Sequence, residues 1–249
     1  MALVTTTALC LRKLDFSETS QILSLLTDKL GTVAVIAKGV KRPKSSTGGP
    51  LDVMCLYEVV LYDKAKRGVL SILAQAQLMD FFPWLRRRYK AFYAAESLRE
   101  LLMSIEVDAH DAPPILILAV KALRDLKDPG GENRALATFS YGLLRALGTE
   151  PVLTHCIVTG REPSGKRAVS FSVDEMGLVS SPHDQGRKDI VRIGPQTLRA
   201  LLALARGSGA PDMPVDGWRG AFTLLAWLVA RQGGRKLKAA PKLDTSRVL

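Results

Sequence analysis

Through roughly the first eighty residues, apolar positions recur every second residue in short runs, and turn residues interrupt those runs at close intervals. A two-residue beat puts alternate side chains on opposite faces of an extended chain, so strands are expected near 3–12, 20–28, 31–38, 55–62 and 69–76. In the fourth, Cys55, Tyr57, Val59 and Leu61 share one face, while Glu58 and Tyr62 share the other with Leu56 and Val60. The turn Asp28-Lys29-Leu30-Gly31 is short enough for a hairpin, and Gly68 opens the fifth strand after Lys64, Lys66 and Arg67. Five short strands in so little chain suit a small closed barrel.

After Pro83 the beat becomes helical. Leu85, Tyr89, Phe92, Leu98, Leu101, Leu102 and Ile105 recur at three- and four-residue spacing, which predicts one helix over 83–105 with a single apolar stripe. Pro113 and Pro114 open a second helix carrying Ile117, Val120 and Leu123, and a third spans about 132–147, with Leu136, Phe139, Leu143, Leu144 and Leu147 inward and Gly148 as its cap. Two more are expected at 195–206 and 215–232. In the last, Trp218, Phe222, Leu225 and Val229 line one side and Ala221, Leu224 and Leu228 another, so it is buried over most of its circumference. The fold class is therefore α+β in two domains: a barrel over 1–80 and a mainly helical domain over 81–232. The tail at 233–249 is basic and expected to be mobile. An OB-fold, the five-stranded barrel that binds oligonucleotides, fits the first domain best, and an SH3-like barrel remains open.

Charge narrows the function. Lys plus Arg number 35 against 24 Asp plus Glu, a formal net charge of +11 over 249 residues, and a field of that sign draws polyanions without saying which. The cations gather in loops. Lys38, Lys41, Arg42 and Lys44 crowd the stretch from Ala37 to Ser45, where Gly39 frees the backbone and Pro43 keeps the loop out of the sheet. Lys64, Lys66 and Arg67 fill the loop between the fourth and fifth strands, and Arg86, Arg87, Arg88 and Lys90 open the helical half. Phe16, Tyr57 and Tyr62 are the aromatics available for stacking on bases, with core packing the alternative for Tyr57. No apolar run approaches the roughly 20 residues that cross a bilayer, and the amino terminus lacks a secretory pattern, so a cytoplasmic location is expected. Cys10, Cys55 and Cys156 are too few and too scattered for a disulfide framework.

The stretch Ala37 to Ser45, the Gly48-Gly49 pair after it, the register around Glu18-Thr19-Ser20 and the helical half behind a small barrel together resemble the RecO family of bacterial recombination mediators. The resemblance runs along essentially the whole chain, and only the loop motif is specific. It implies an amino-terminal OB-fold, binding to single- and double-stranded DNA, annealing of complementary strands, and work with RecR and with the single-stranded-DNA-binding protein SSB to help load RecA in the RecF pathway. It further implies no covalent catalysis, no cofactor, no small-molecule substrate, no membrane partner and a place near the nucleoid. The SSB tail is expected on the helical half, where Arg86 to Lys90 either receive it or continue the DNA path. A generic RNA- or DNA-binding OB module without mediator activity is the alternative reading.

One departure from the family pattern falls at 150–192, where many members carry a zinc ribbon with two Cys-x2-Cys pairs. Here the positions read Cys156-Ile-Val-Thr159 and Ser180-Ser-Pro-His183, and a neutral hydroxyl does not match a thiolate as a zinc ligand. A degenerate ribbon-like insertion without metal is expected, held by Val169, Phe171, Val173 and Leu178. Gly160 to Arg167 imitates a phosphate-binding loop, Gly-x4-Gly-Lys, but ends in Arg where a magnesium-holding Ser or Thr is required. Nucleotide hydrolysis is not expected.

Overall fold

The computed structural model describes residues 2–43, 45, 47–63, 69–207 and 214–234. Five strands close into a barrel in the order β1-β2-β3-β5-β4: β1 Ala2–Asp15, β2 Gln21–Thr27, β3 Gly31–Ala37, β4 Leu56–Asp63 and β5 Ser71–Asp80. All pairings are antiparallel except β3 with β5, and this arrangement is OB-fold-like. The long first strand closes the ring, pairing with β4 through its first half and with β2 through its second, with a shift in register between Cys10 and Arg12. A bulge lets one strand bend enough to serve both edges. The expected face of β4 turns inward: Cys55, Tyr57, Val59 and Leu61 join Leu23, Leu25, Val35 and Leu73 in one core.

The chain forms two compact units, one of 1–95 with 106–127, the other of 96–105 with 128–249. Sequence alone drew the boundary after residue 80. The first unit also takes in α1 Trp84–Arg87, the start of α2 Tyr89–Ser104, and α3 Ala112–Asp125, because specific bonds tie these pieces together. The Trp84 indole N–H donates to the Leu123 carbonyl at 2.8 Å, and the Thr32 amide donates to the Val107 carbonyl at 2.9 Å. Gly31 permits that approach: at φ +71 it adopts a left-handed conformation, and a Cβ there would lie 2.2 Å from the Val107 oxygen.

The single helix expected over 83–105 is two. Arg88 is extended, with φ −126 and ψ 115, and this break resets the helical phase. Ala91, Ala94, Ala95, Leu98, Leu101 and Leu102 form the buried stripe of α2, and Tyr89 and Phe92, expected inside, stand 74% and 49% exposed. Likewise Ile117 of α3 faces outward at 68% exposure, and Ile115, Leu116, Ala119 and Leu123 take the inner positions.

In the second unit α4 Glu132–Ala146 and α5 Pro195–Arg206 pack against α6 Val215–Gly233, in which Gly217, Trp218, every residue from Gly220 to Ala226, Leu228 and Val229 are buried, while Arg219 stays exposed. Gly220 makes the α5–α6 contact close, since a Cβ there would meet Thr197 Oγ1 at 2.2 Å. The expected insertion at 150–192 is seen as four short strands that run to residue 193, β6 Val152–Cys156, β7 Val169–Ser172, β8 Gly177–Val179 and β9 Ile190–Ile193, in the order β6-β8-β7-β9. The sheet carries Phe171, Val173 and Leu178 inside, as read from the sequence, with Val191 and Ile193. Among the described residues no helix is long and apolar enough to cross a membrane.

Candidate nucleic-acid interface

The basic loop leaves the barrel at the end of β3 and is pinned on both sides by apolar anchors, Val40 and Leu51, fully buried in the barrel core. Across this stretch the described backbone folds on itself: the Arg42 amide donates to the Gly39 carbonyl at 3.0 Å, Ser45 to Arg42 at 3.1 Å, and Gly48 to Ser45 at 3.2 Å. Gly39 takes φ +65, and the Lys41 amide donates to the Thr19 carbonyl at 3.1 Å, tying the loop to the β1–β2 turn. Backbone already hydrogen-bonded in this way has less freedom left to lose when a polyanion arrives.

The cations expected here fare differently. Lys38 and Arg42 are exposed, and among the described residues neither is in an ion pair. Lys41 is partly covered and its ammonium lies 2.9 Å from Asp15, whose carboxyl it holds below the usual range by hydrogen bonding. Lys44, Lys64, Lys66 and Arg67 lie outside the described residues. The described flanks of the β4–β5 segment are Asp63 and Ser71, joined by a 3.1 Å hydrogen bond from the Ser71 hydroxyl. Ser71 pairs with Val35, three residues before Lys38, so β5 begins beside the strand that feeds the basic loop.

The arginine run also divides. Arg86 is 3.0 Å from Asp52, donates to Cys55 Sγ at 3.2 Å and to the Phe81 carbonyl, and stands 5.9 Å from the centre of the Phe81 ring. Asp52 serves Lys13 as well, at 2.6 Å; burial raises its carboxyl, and the hydrogen bonds from Lys13 and Arg86 outweigh that and bring it below the ordinary value. Arg88 donates to the carbonyls of Leu126 at 2.8 Å and Lys127 at 2.7 Å, where α3 ends. It thus places a cation on the negative end of a helix, a structural employment. Arg87 is exposed, and among the described residues it has no ion pair. Of the three, Arg87 alone keeps its charge uncommitted to a described neighbour.

Among the aromatics, Tyr57 is buried and its phenol oxygen accepts from the Asp52 amide at 2.8 Å, whereas Phe16 and Tyr62 are 62% and 43% exposed. Sequence periodicity missed Tyr89, Phe92 and Tyr93 as surface residues; the alanines at 91, 94 and 95 were the signal that a different stripe faces inward.

The residues at the expected ribbon do not fit zinc. The Cys156 sulfur accepts hydrogen bonds from both the amide and the hydroxyl of Ser180, each at 3.2 Å, so a would-be ligand position serves as a donor instead. His155 and His183 are exposed, and among the described residues no cluster of three metal-ligating side chains occurs. Burial pushes the Cys156 thiol up, but the hydrogen bonds from Ser180 and Thr159 prevail and lower it to about 6. The sulfur lines a cavity of about 420 Å³ with Arg161, Arg167 and Arg192 at its wall.

The described residues thus form a closed OB-fold-like barrel with a basic loop after β3, and a second, mainly helical unit. Family comparison is specific: residues 1–82 match the model described as recombination protein O, N terminal, and residues 86–241 match recombination protein O, C terminal. Relatives named DNA repair protein RecO include one from Rhodopirellula baltica, 29% identical over 210 residues, covering 84% of this chain and 77% of that protein. Another from Anaeromyxobacter dehalogenans is 28% identical over 245 residues, 96% of this chain and 94% of that one. A third, from Salinibacter ruber, is 35% identical over 167 residues, 65% and 63% of the two chains. The chain belongs to the RecO family.

Proposed function

We propose that this protein is a recombination mediator in DNA repair, which binds single- and double-stranded DNA by its sugar-phosphate backbone and anneals complementary strands. Its family membership is the observation that carries the reading, and the exposed Lys38 and Arg42 on a pinned loop support it. Phosphate contacts position a strand without reading sequence, so a protein that holds backbones and leaves bases open can bring two strands together. The grip extends in this reading to Lys41, Lys44, Lys64, Lys66 and Arg67, and to Arg87, while Arg86 and Arg88 shape the surface they border. Lys41 can serve only by sharing its charge with Asp15.

The same reading includes RecR and the SSB tail as partners, RecA loading as the outcome, a cytoplasmic, nucleoid-associated location, and no covalent chemistry. The sheet at 150–192 is in this view a ribbon whose knuckle closes by hydrogen bonds to Cys156 instead of by zinc. The test is annealing of SSB-coated complementary strands without ATP. Annealing faster than with SSB alone is expected of the full chain. No acceleration by the full chain would contradict the mediator role.

A further inference from the structure

Helix α2 opens with an aromatic cluster on its outer face. Tyr89, Phe92 and Tyr93 are 74%, 49% and 50% exposed and lie opposite the buried stripe of Ala91, Ala94, Ala95 and Leu98. At 3.6 residues per turn the three occupy one turn. Their rings touch: Tyr89 and Tyr93 have centroids 4.4 Å apart at 53°, and Phe92 and Tyr93 stand 5.9 Å apart, edge to face. Large apolar groups gathered this way on an outer face mark a contact surface.

The chemistry favours one occupant. The large apolar side chains exposed on α2 are all aromatic, with no Leu, Ile, Val or Met among them, so the surface offers π-faces where an apolar peptide would seek an aliphatic groove. Lys90 lies on the same turn and Arg87 just before it, both exposed and, among the described residues, in no ion pair. The next acid along the helix, Glu96, is neutralised by Arg99 at 2.7 Å. Aromatic rings beside free cations are the arrangement that holds an open strand, rings under the bases and cations at the phosphates.

We propose that Tyr89, Phe92 and Tyr93 form a stacking platform for unpaired bases of single-stranded DNA, with Lys90 and Arg87 at the adjoining phosphates. The proposal rests on the DNA-binding reading above and deepens it: the barrel loop holds backbone of any kind, and the platform gives preference to strands whose bases are free.

The test compares a thymidine oligonucleotide with an abasic strand of equal length, which carries the same phosphates and no bases. Wild-type full-length chain should bind the thymidine strand more tightly. Changing Tyr89, Phe92 and Tyr93 together to Ala should weaken thymidine binding about tenfold and leave abasic binding and the salt slope as they were. Tyr89→Phe with Tyr93→Phe, which keeps the rings, should retain the preference. A triple-Ala variant with the wild-type ratio of affinities overturns the platform while the phosphate reading stands, and so does loss of binding to an acidic peptide with that ratio unchanged. Wild type that binds neither strand refutes the underlying DNA reading.

Discussion

Single residues set the constraints most sharply at Gly31, Arg88 and Cys156. Gly31→Ala forces a side chain into a left-handed conformation, at about 1–3 kcal/mol, and drives a Cβ against the Val107 carbonyl. Denaturant unfolding should show at least that loss. Of the arginines at 87 and 88, Arg88→Ala should lower stability by about 1–2 kcal/mol because two carbonyls at the end of α3 lose a charged donor. Arg87→Ala should stay within about 0.5 kcal/mol; equal effects in thermal melts would refute the division of labour. Cys156 is lowered to about 6 by Ser180 and Thr159 against the pull of burial, whereas burial, with Cys55 nearby, pushes Cys10 up to about 12. A group whose folded pKa is depressed stabilises fully above its unfolded value and loses that contribution as pH falls through the folded one. The contribution of Cys156 should therefore be present above pH 9 and fade toward pH 6. Alkylation followed by mass spectrometry at pH 7 should modify Cys156 ahead of Cys10; the reverse order would contradict the hydrogen-bonded thiolate.

Elements explain what could and could not be read in advance. The five strands were legible because short, largely apolar runs broken by turn residues recur through this part of the chain, and burial then selects the register seen in Cys55, Tyr57, Val59 and Leu61. Helices α4, α5 and α6 were legible for the same reason, with long apolar side chains at helical spacing. The break at Arg88 was not, because an arginine carries no breaker signal: its extended conformation is fixed by carbonyls some forty residues away in sequence. That hidden break moved the phase of α2, and alanines took the inner positions that periodicity had given to Tyr89 and Phe92. Charge pairing was equally silent, since Lys41 meets Asp15 and Arg86 meets Asp52 only once the barrel has closed.

For the molecule as a whole, a net charge of +11 describes attraction, but geometry decides which cations answer it. The basic loop was found from sequence by composition alone, and the fold adds its anchoring through Val40 and Leu51 and its link to the β1–β2 turn. The arginine run looked uniform and is not: one charge faces a carboxylate, one caps a helix and one is exposed. Binding in the proposed role is then a matter of counterion release, with a log-log dependence on salt of about 0.7 per phosphate contact on single strands. The decisive measurement is that slope for wild type and for a chain with Lys38, Lys41, Arg42 and Lys44 all changed to Ala. The barrel-loop interface predicts weaker binding and a slope shallower by about 2 to 3, while wild-type affinity and slope in the quadruple variant would contradict it.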